Sequence, residues 1–135
     1  MKFNVRVLKE NDYDDILVGW WEDWKWIPPV KDFLPLNGVG GIMVEWDGTP
    51  VCAGFIYNTN SKVAWIDWIV SNKNFREKPH RKDGLNLLIQ TLTDVARETK
   101  YKYVYAHNNN TNLINTFLAN GYLKGSKSTE LIKNL

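Results

Sequence analysis

Apolar residues recur along this chain with two different periods, and each change of period marks an element. Phe3, Val5 and Val7 alternate with Asn4 and Arg6, the two-residue repeat of a first strand. Beyond Asn11 or Asp12, either of which can cap a helix, Tyr13, Ile16, Leu17, Trp20, Trp21 and Trp24 return at helical spacing until Pro28 and Pro29 stop the pattern. Val30 to Gly41, marked by glycine and proline, predicts a loop holding one short helical turn. Ile42 to Trp46 and Pro50 to Asn58 read as strands joined by a tight Asp47-Gly48 turn, and Asn58-Thr59-Asn60-Ser61 leads into a further strand from Lys62 to Val70. Three strands joined by short turns make an antiparallel meander.

The period then lengthens again. A helix from about Gly84 to Glu98 carries Leu85, Leu88, Ile89, Leu92, Val95 and Ala96 on one face and crosses to a strand from Lys102 to Ala106. Because that connection contains a helix, the strands on either side of it can lie parallel. A second helix fits Asn112 to Asn120 and stops at Gly121, and Tyr122 to Gly125 and Thr129 to Lys133 predict short closing strands. The order is that of an α+β domain: a mixed, mostly antiparallel sheet of about seven strands with helices on both faces. No repeat or linker divides it, so residues 1–135 are expected to form one domain.

Composition narrows the options. At 44% hydrophobic and 24% charged residues the chain is globular in type, and a formal charge of +2 argues against a nucleic-acid partner. Cys52, the sole cysteine, allows no intramolecular disulfide and, between Val51 and Ala53, predicts a buried thiol in a reducing compartment. The segment from Met1 to Arg6 lacks a signal-peptide run and no stretch is long and apolar enough to span a bilayer, so a cytoplasmic protein without a membrane partner is expected. His80 and His107 lack a cysteine or acidic partner at metal spacing, so no metal is expected.

Three features carry candidate chemistry. Positive charge is bunched between Lys73 and Lys82, including Arg76, Lys78, His80, Arg81 and Lys82, where the Lys62–Val70 strand hands over to the helix near Gly84. Helix N–H groups and the positive end of the helix dipole would then aim at one point, an arrangement suited to phosphate. Asp67 interrupts the apolar run Trp65-Ile66-Asp67-Trp68-Ile69-Val70; a carboxylate there is either partly desolvated, with a raised pKa and a use for an amine, or a solvated carboxylate at an edge, or the partner of a structural arginine. Of the seven tryptophans, Trp20, Trp21, Trp24 and Trp26 fall in one short segment, too many rings to bury together easily.

Two motifs, in this order and separated by the expected strand, resemble the GNAT family of N-acetyltransferases over nearly the whole chain. Arg81-Lys82-Asp83-Gly84-Leu85-Asn86 matches the family's coenzyme A loop, Q/R-x-x-G-x-G/A, at the arginine and first glycine, with Asn86 at the last position. Asn110 to Tyr122 is similar to its late helix, with Phe117 where the family often has the tyrosine that protonates the departing thiolate. Phe75-Arg76 is an alternative counterpart of the family's Tyr-Arg, which leaves Arg76 and Arg81 as rivals for one role. The resemblance implies a sheet splayed between its fourth and fifth strands, and acetyl-CoA as co-substrate for transfer to a small-molecule or protein amine. It further implies pyrophosphate contacts from Arg76, Arg81, Lys82, Gly84, Leu85 and Asn86, with pantetheine and carbonyl along Ile69 and Val70. Asn110 and Phe117 would form the far wall, Asp67 would act on the amine, and Trp21, Glu22 and Trp24 would border the acceptor. The missing tyrosine favours an alternative, a degenerate GNAT fold that serves as a binding or interaction protein. Oligomeric state, a homodimer included, is open at this stage.

Overall fold

The computed structural model describes residues 2–135; Met1 and the side chain of Lys78, counted above in the basic cluster, lie outside the described residues. Strands β1 (Phe3–Val7), β2 (Gly41–Trp46), β3 (Thr49–Tyr57), β4 (Val63–Ser71) and β5 (Tyr103–Tyr105) form one sheet in sequence order. β1 to β4 pair antiparallel through short connections, and Asp47 and Gly48, at φ 49° and 82°, supply the left-handed residues that the β2–β3 turn requires. β5 is reached through a helix and lies parallel to β4, as a helical crossover dictates.

Three α-helices cover the sheet. A π-wound segment, Tyr13–Leu17, continues as α1 (Val18–Asp23); α2 spans Lys78–Glu98 and α3 spans Thr111–Ala119. Leu88, Ile89 and Leu92 of α2 and Leu113 and Phe117 of α3 pack on one face against Ile42, Val44 and Ile66. Leu17, Trp20 and Trp21 pack on the other face against Met43, Phe55 and Val70. A central strand covered on both sides must be apolar on both, which is why Val51, Cys52, Ala53 and Phe55 follow one another in β3 at 0% exposure. Of these, Val51 and Phe55 each contribute about 2 kcal/mol of burial.

Three expectations are corrected. The sheet has five strands, not about seven: residues 122–135 contain none, and Leu123 and Leu131 are exposed. A three-residue β5 offers too short an edge for further strands to pair with. α2 starts at Lys78, well ahead of Gly84, because Pro79 sits in its first turn, where a preset φ helps and a missing N–H costs nothing. Asp12 does not cap the first helix.

Asp12 instead anchors the start of the chain. Nearly fully buried, it takes two hydrogen bonds from Arg6 (2.8 and 3.0 Å) and one from the Lys9 N–H (2.7 Å), while Arg6 Nε also donates to Glu45 of β2 at 3.1 Å. Burial alone would raise the Asp12 pKa, but Arg6 and the Lys9 N–H outweigh it and hold the carboxyl below its ordinary value. The stability this contributes is full above pH ~4, the unfolded value, and is lost as pH falls through the folded one. Arg6→Ala leaves the buried carboxylate unpaired and is expected to cost about 3 kcal/mol in urea unfolding at pH 7, with a smaller loss at pH 3.

Candidate active site

The site begins with an irregularity in β4. Asp67 pairs with Phe55 and Val70 with Ala53, so Trp68 and Ile69 together face the single residue Gly54 of β3, and Trp68 takes a left-handed φ of 55°. Such a bulge bends its strand and increases the local twist. Gly54 permits it, since a Cβ there would stand 3.0 Å from both Ile69 Cγ1 and Leu92 Cδ1. The consequence falls on the other edge of β4. Only Val63, Ala64 and Trp65 pair with β5, and from Ile66 onward the two strands part.

The parted strands open a cleft of about 590 Å³. Ile69, Val70 and Ser71 line it from β4; Arg81, Lys82, Leu85 and Asn86 from α2; Asn110, Leu113 and Thr116 from the start and inner face of α3. Asn110 has a second task as the N-cap of α3, its Oδ1 accepting the Leu113 N–H at 3.1 Å. Asn120 Nδ2 donates to Asn86 Oδ1 at 2.9 Å and ties the two helices together behind the cleft. Among the described residues no carboxylate pairs with Arg81 or Lys82; the Arg81 guanidinium lies 5.4 Å from the Trp24 ring.

Several predicted site residues stand elsewhere. Gly84 lies inside α2, against β3, where a Cβ would come 3.1 Å from Val51 Cγ1; it is a packing glycine. With Gly84, Leu85 and Asn86 within the helix, their N–H groups serve the helix rather than converging on a cradle. Arg76 is exposed and off the cleft. Phe117 is buried edge-on against Tyr122 (4.9 Å), and the Tyr122 hydroxyl is within 2.6 Å of Thr93 Oγ1, so neither ring forms the far wall. Trp21 is 1% exposed and stacks on Phe55, a core residue, and Glu22 is exposed away from the cleft. Trp24 does reach the cleft, donating from Nε1 to the Ser71 carbonyl at 2.8 Å, with Trp26 stacked beside it.

Asp67 sits at the point of parting. Its Oδ1 accepts the Trp68 N–H at 2.7 Å, and its Oδ2 lies 3.8 Å from His107 Nε2, just beyond β5. Burial raises the Asp67 pKa above the usual carboxylate range, against the lowering effect of the Trp68 N–H and His107; the charge of Glu130 adds to the rise. The same carboxylate, after burial, helps push the Tyr57 phenol up to about 12. His107 was set aside at the sequence level for want of metal partners; the signal that finds it is register, two residues past the Trp65–Tyr105 pair. Among the described residues there is no cluster of groups that could hold a metal ion and no helix long and apolar enough to cross a membrane.

Solved structures identify the fold. The chain is similar to glucosamine-6-phosphate N-acetyltransferase from Arabidopsis thaliana (14% identity, covering 98% of this chain and 100% of that one, TM-score 0.65). It is equally similar in extent to a GNAT family acetyltransferase from Staphylococcus aureus (17% identity, 100% of both chains, TM-score 0.60). N-acetylglutamate synthase from Neisseria gonorrhoeae, solved with coenzyme A and L-arginine, matches over 93% of this chain but 28% of its own (13% identity, TM-score 0.70). No family model and no curated protein matches the sequence.

A raised carboxyl pKa makes ionised Asp67 a cost to the fold. Below the unfolded value, near pH ~4, the carboxyl is protonated in both states and the cost is absent; it is complete once pH passes the folded value. Asp67→Asn, which keeps an acceptor for the Trp68 N–H, should therefore melt at a higher temperature than the natural chain at pH 7 and at the same temperature near pH 3.

Proposed function

We propose that this chain, which has the fold of the GNAT acetyltransferases, moves an acetyl group from acetyl-CoA to the nitrogen of an amine. The observation that carries the proposal is the cleft beside the unpaired end of β4, which runs past Ile69, Val70 and Ser71 to the cationic first turns of α2. Its volume, about 590 Å³, is in the range of small-molecule sites, roughly 300–1,000 Å³, and its lining combines an apolar floor with asparagines and two cations.

In this reading Arg81 and Lys82 meet the pyrophosphate, since cationic side chains without carboxylate partners are free to bond phosphate oxygens near the positive end of a helix dipole. Arg81 is preferred to Arg76 because only Arg81 lines the cleft. Ile69, Val70 and Leu85 give the pantetheine arm an apolar track, and Asn110 with the inner face of α3 closes the other side. Asp67 attracts the amine, which docks beside the carbonyl carbon; holding the two reactants together is a large part of the catalysis asked of such a site. The N-acetyltransferase neighbours named above support this class of reaction.

One observation favours a second reading, an acyl-CoA binding protein without turnover. Phe117 carries no hydroxyl and the Tyr122 hydroxyl is turned toward Thr93, so α3 offers no tyrosine to protonate a thiolate. Calorimetry with acetyl-CoA, followed by an assay of thiol release with amines, separates the readings: binding with turnover supports the transferase, binding alone the second reading, and no binding at millimolar acetyl-CoA excludes both.

For the binding site, Arg81→Ala and Lys82→Ala are each expected to weaken acetyl-CoA about tenfold, less at high salt, the loss of one charge-assisted contact. Gly84→Ala, against the sheet, should leave the affinity within about threefold. Gly84→Leu should unfold the protein more easily by roughly 2 kcal/mol through overpacking against Val51.

A further inference from the structure

Asp67 and His107 face one another where the pairing of β4 and β5 ends, and the lining of the cleft starts just beyond them, at Ile69 on one side and Asn108 on the other. Trp65 and Tyr105 are the last residues that β4 and β5 pair in parallel register, so Asp67 and His107, two residues on along each strand, are the next neighbours on the same side of the sheet. Both are held. The Trp68 N–H fixes one carboxylate oxygen to the backbone of the bulge itself, and the other oxygen lies 3.8 Å from His107 Nε2. The Trp65 ring stands edge-on to the imidazole at 5.3 Å and tilts over Tyr105 at 4.5 Å, so the imidazole is wedged against an aromatic wall. It still reaches solvent, at 39% side-chain exposure, and the next residue, Asn108, lines the cleft.

We propose that His107 is the residue that takes the proton from the attacking amine, and that Asp67 is its positioning residue. The proposal rests on the acetyl-transfer reading above and deepens it. With Nε2 turned toward Asp67, Nδ1 is the nitrogen left to act as base, and an imidazole is the side chain whose charge ordinarily changes near neutral pH. An ammonium acceptor gives one proton to Nδ1. The nitrogen lone pair so released attacks the thioester carbonyl carbon, an N–C bond forms, and the C–S bond breaks with its electron pair going to sulfur. The second proton on nitrogen passes to the thiolate, and the imidazolium, paired with Asp67, returns its proton to water. Ammonium and thioester thus become amide, thiol and one released proton.

The charged and titratable groups that face the pair are Tyr57 from β3, Tyr105 from β5 and Glu130 from the C-terminal segment. Ordinary phenols titrate well above neutrality, so an acidic limb of the rate has two candidate owners in this pair, His107 and Asp67. Variants distinguish them.

The test begins with the natural chain: acetyl-CoA affinity by calorimetry, and kcat/KM for a polyamine, an aromatic ethylamine and an amino sugar between pH 5.5 and 9, read as thiol release. His107→Gln is expected to lower kcat at least ~100-fold, to keep the acetyl-CoA affinity within twofold, and to lose the acidic limb. His107→Ala should regain part of its rate with added imidazole, which a purely structural role would not allow. Asp67→Asn should keep the limb while lowering kcat, as the imidazolium loses its anionic neighbour. A His107→Gln variant that stays folded and retains kcat/KM within threefold, or retains the limb while Asp67→Asn loses it, overturns the proposal and leaves the transferase reading standing. A natural chain that binds no acetyl-CoA, or binds it and acetylates no amine of the three, overturns the transferase reading and the proton acceptor with it.

Discussion

The bulge opposite Gly54 is the constraint on which the rest of the site depends. Two β4 residues facing one β3 residue turn the end of β4 away from β5, and the cleft is the space that results. A left-handed φ at a tryptophan is unfavourable, on the order of 1–2 kcal/mol, and it survives because several contacts hold it. The Trp68 ring is edge-on to both Trp21 (6.3 Å) and Phe33 (5.9 Å), and its N–H is bonded to Asp67. On the other side, Ile69 and Leu92 occupy the space that a side chain at residue 54 would need. The aromatic core under α1 and the aliphatic core under α2 therefore both press on the same irregularity, and the carboxylate at its edge is fixed by the backbone that forms it.

Helix α2 supplies the second half of the site by the same kind of packing. It lies close to β3 because Gly84 has no side chain to hold it off, and that closeness brings Arg81 and Lys82 to the mouth of the cleft while Leu85 faces its interior. The glycine that looked like part of a phosphate loop thus acts one step back. It sets the depth at which the helix sits, and the helix carries the cations. The Asn86–Asn120 hydrogen bond then ties the end of α3 to α2, the two walls of the cleft that are not strand.

What the sequence made legible was periodic and local. The Asp47-Gly48 turn, the meander, the parallel crossover and the two-faced burial of the sheet all follow from spacing that neighbouring residues impose. The misses turn on longer-range geometry. Trp21 and Trp24 share a helical stripe, yet α1 ends at Asp23 and Lys25 takes φ 63°, so Trp21 enters the core and Trp24 is turned to the cleft. The helix expected to run to Pro28 and Pro29 already stops at Asp23, whereas the one expected from about Gly84 starts earlier, at Lys78, with Pro79 in its first turn. The closing strands failed because their apolar residues have no sheet edge long enough to join. Asp67 could be singled out because it breaks an apolar strand; a lone histidine after a short strand gives no such signal, and only the register of β4 and β5 brings His107 beside it.

The chain treats its two notable carboxylates differently, and the contrast bears on what the second is for. Asp12 is closed off by a bidentate arginine and a backbone N–H, and Glu45 shares the same guanidinium. Asp67, only partly exposed, receives one backbone N–H and has, among the described residues, no lysine or arginine within ion-pair distance, only an imidazole at 3.8 Å. A fold able to satisfy one buried carboxylate so thoroughly has left another short of a cation beside an open cleft. Stability alone gives no reason to keep an anion there, since a neutral side chain of the same shape would serve the fold better. In the proposed reading, a cationic acceptor supplies the missing partner on arrival and loses its charge as it reacts.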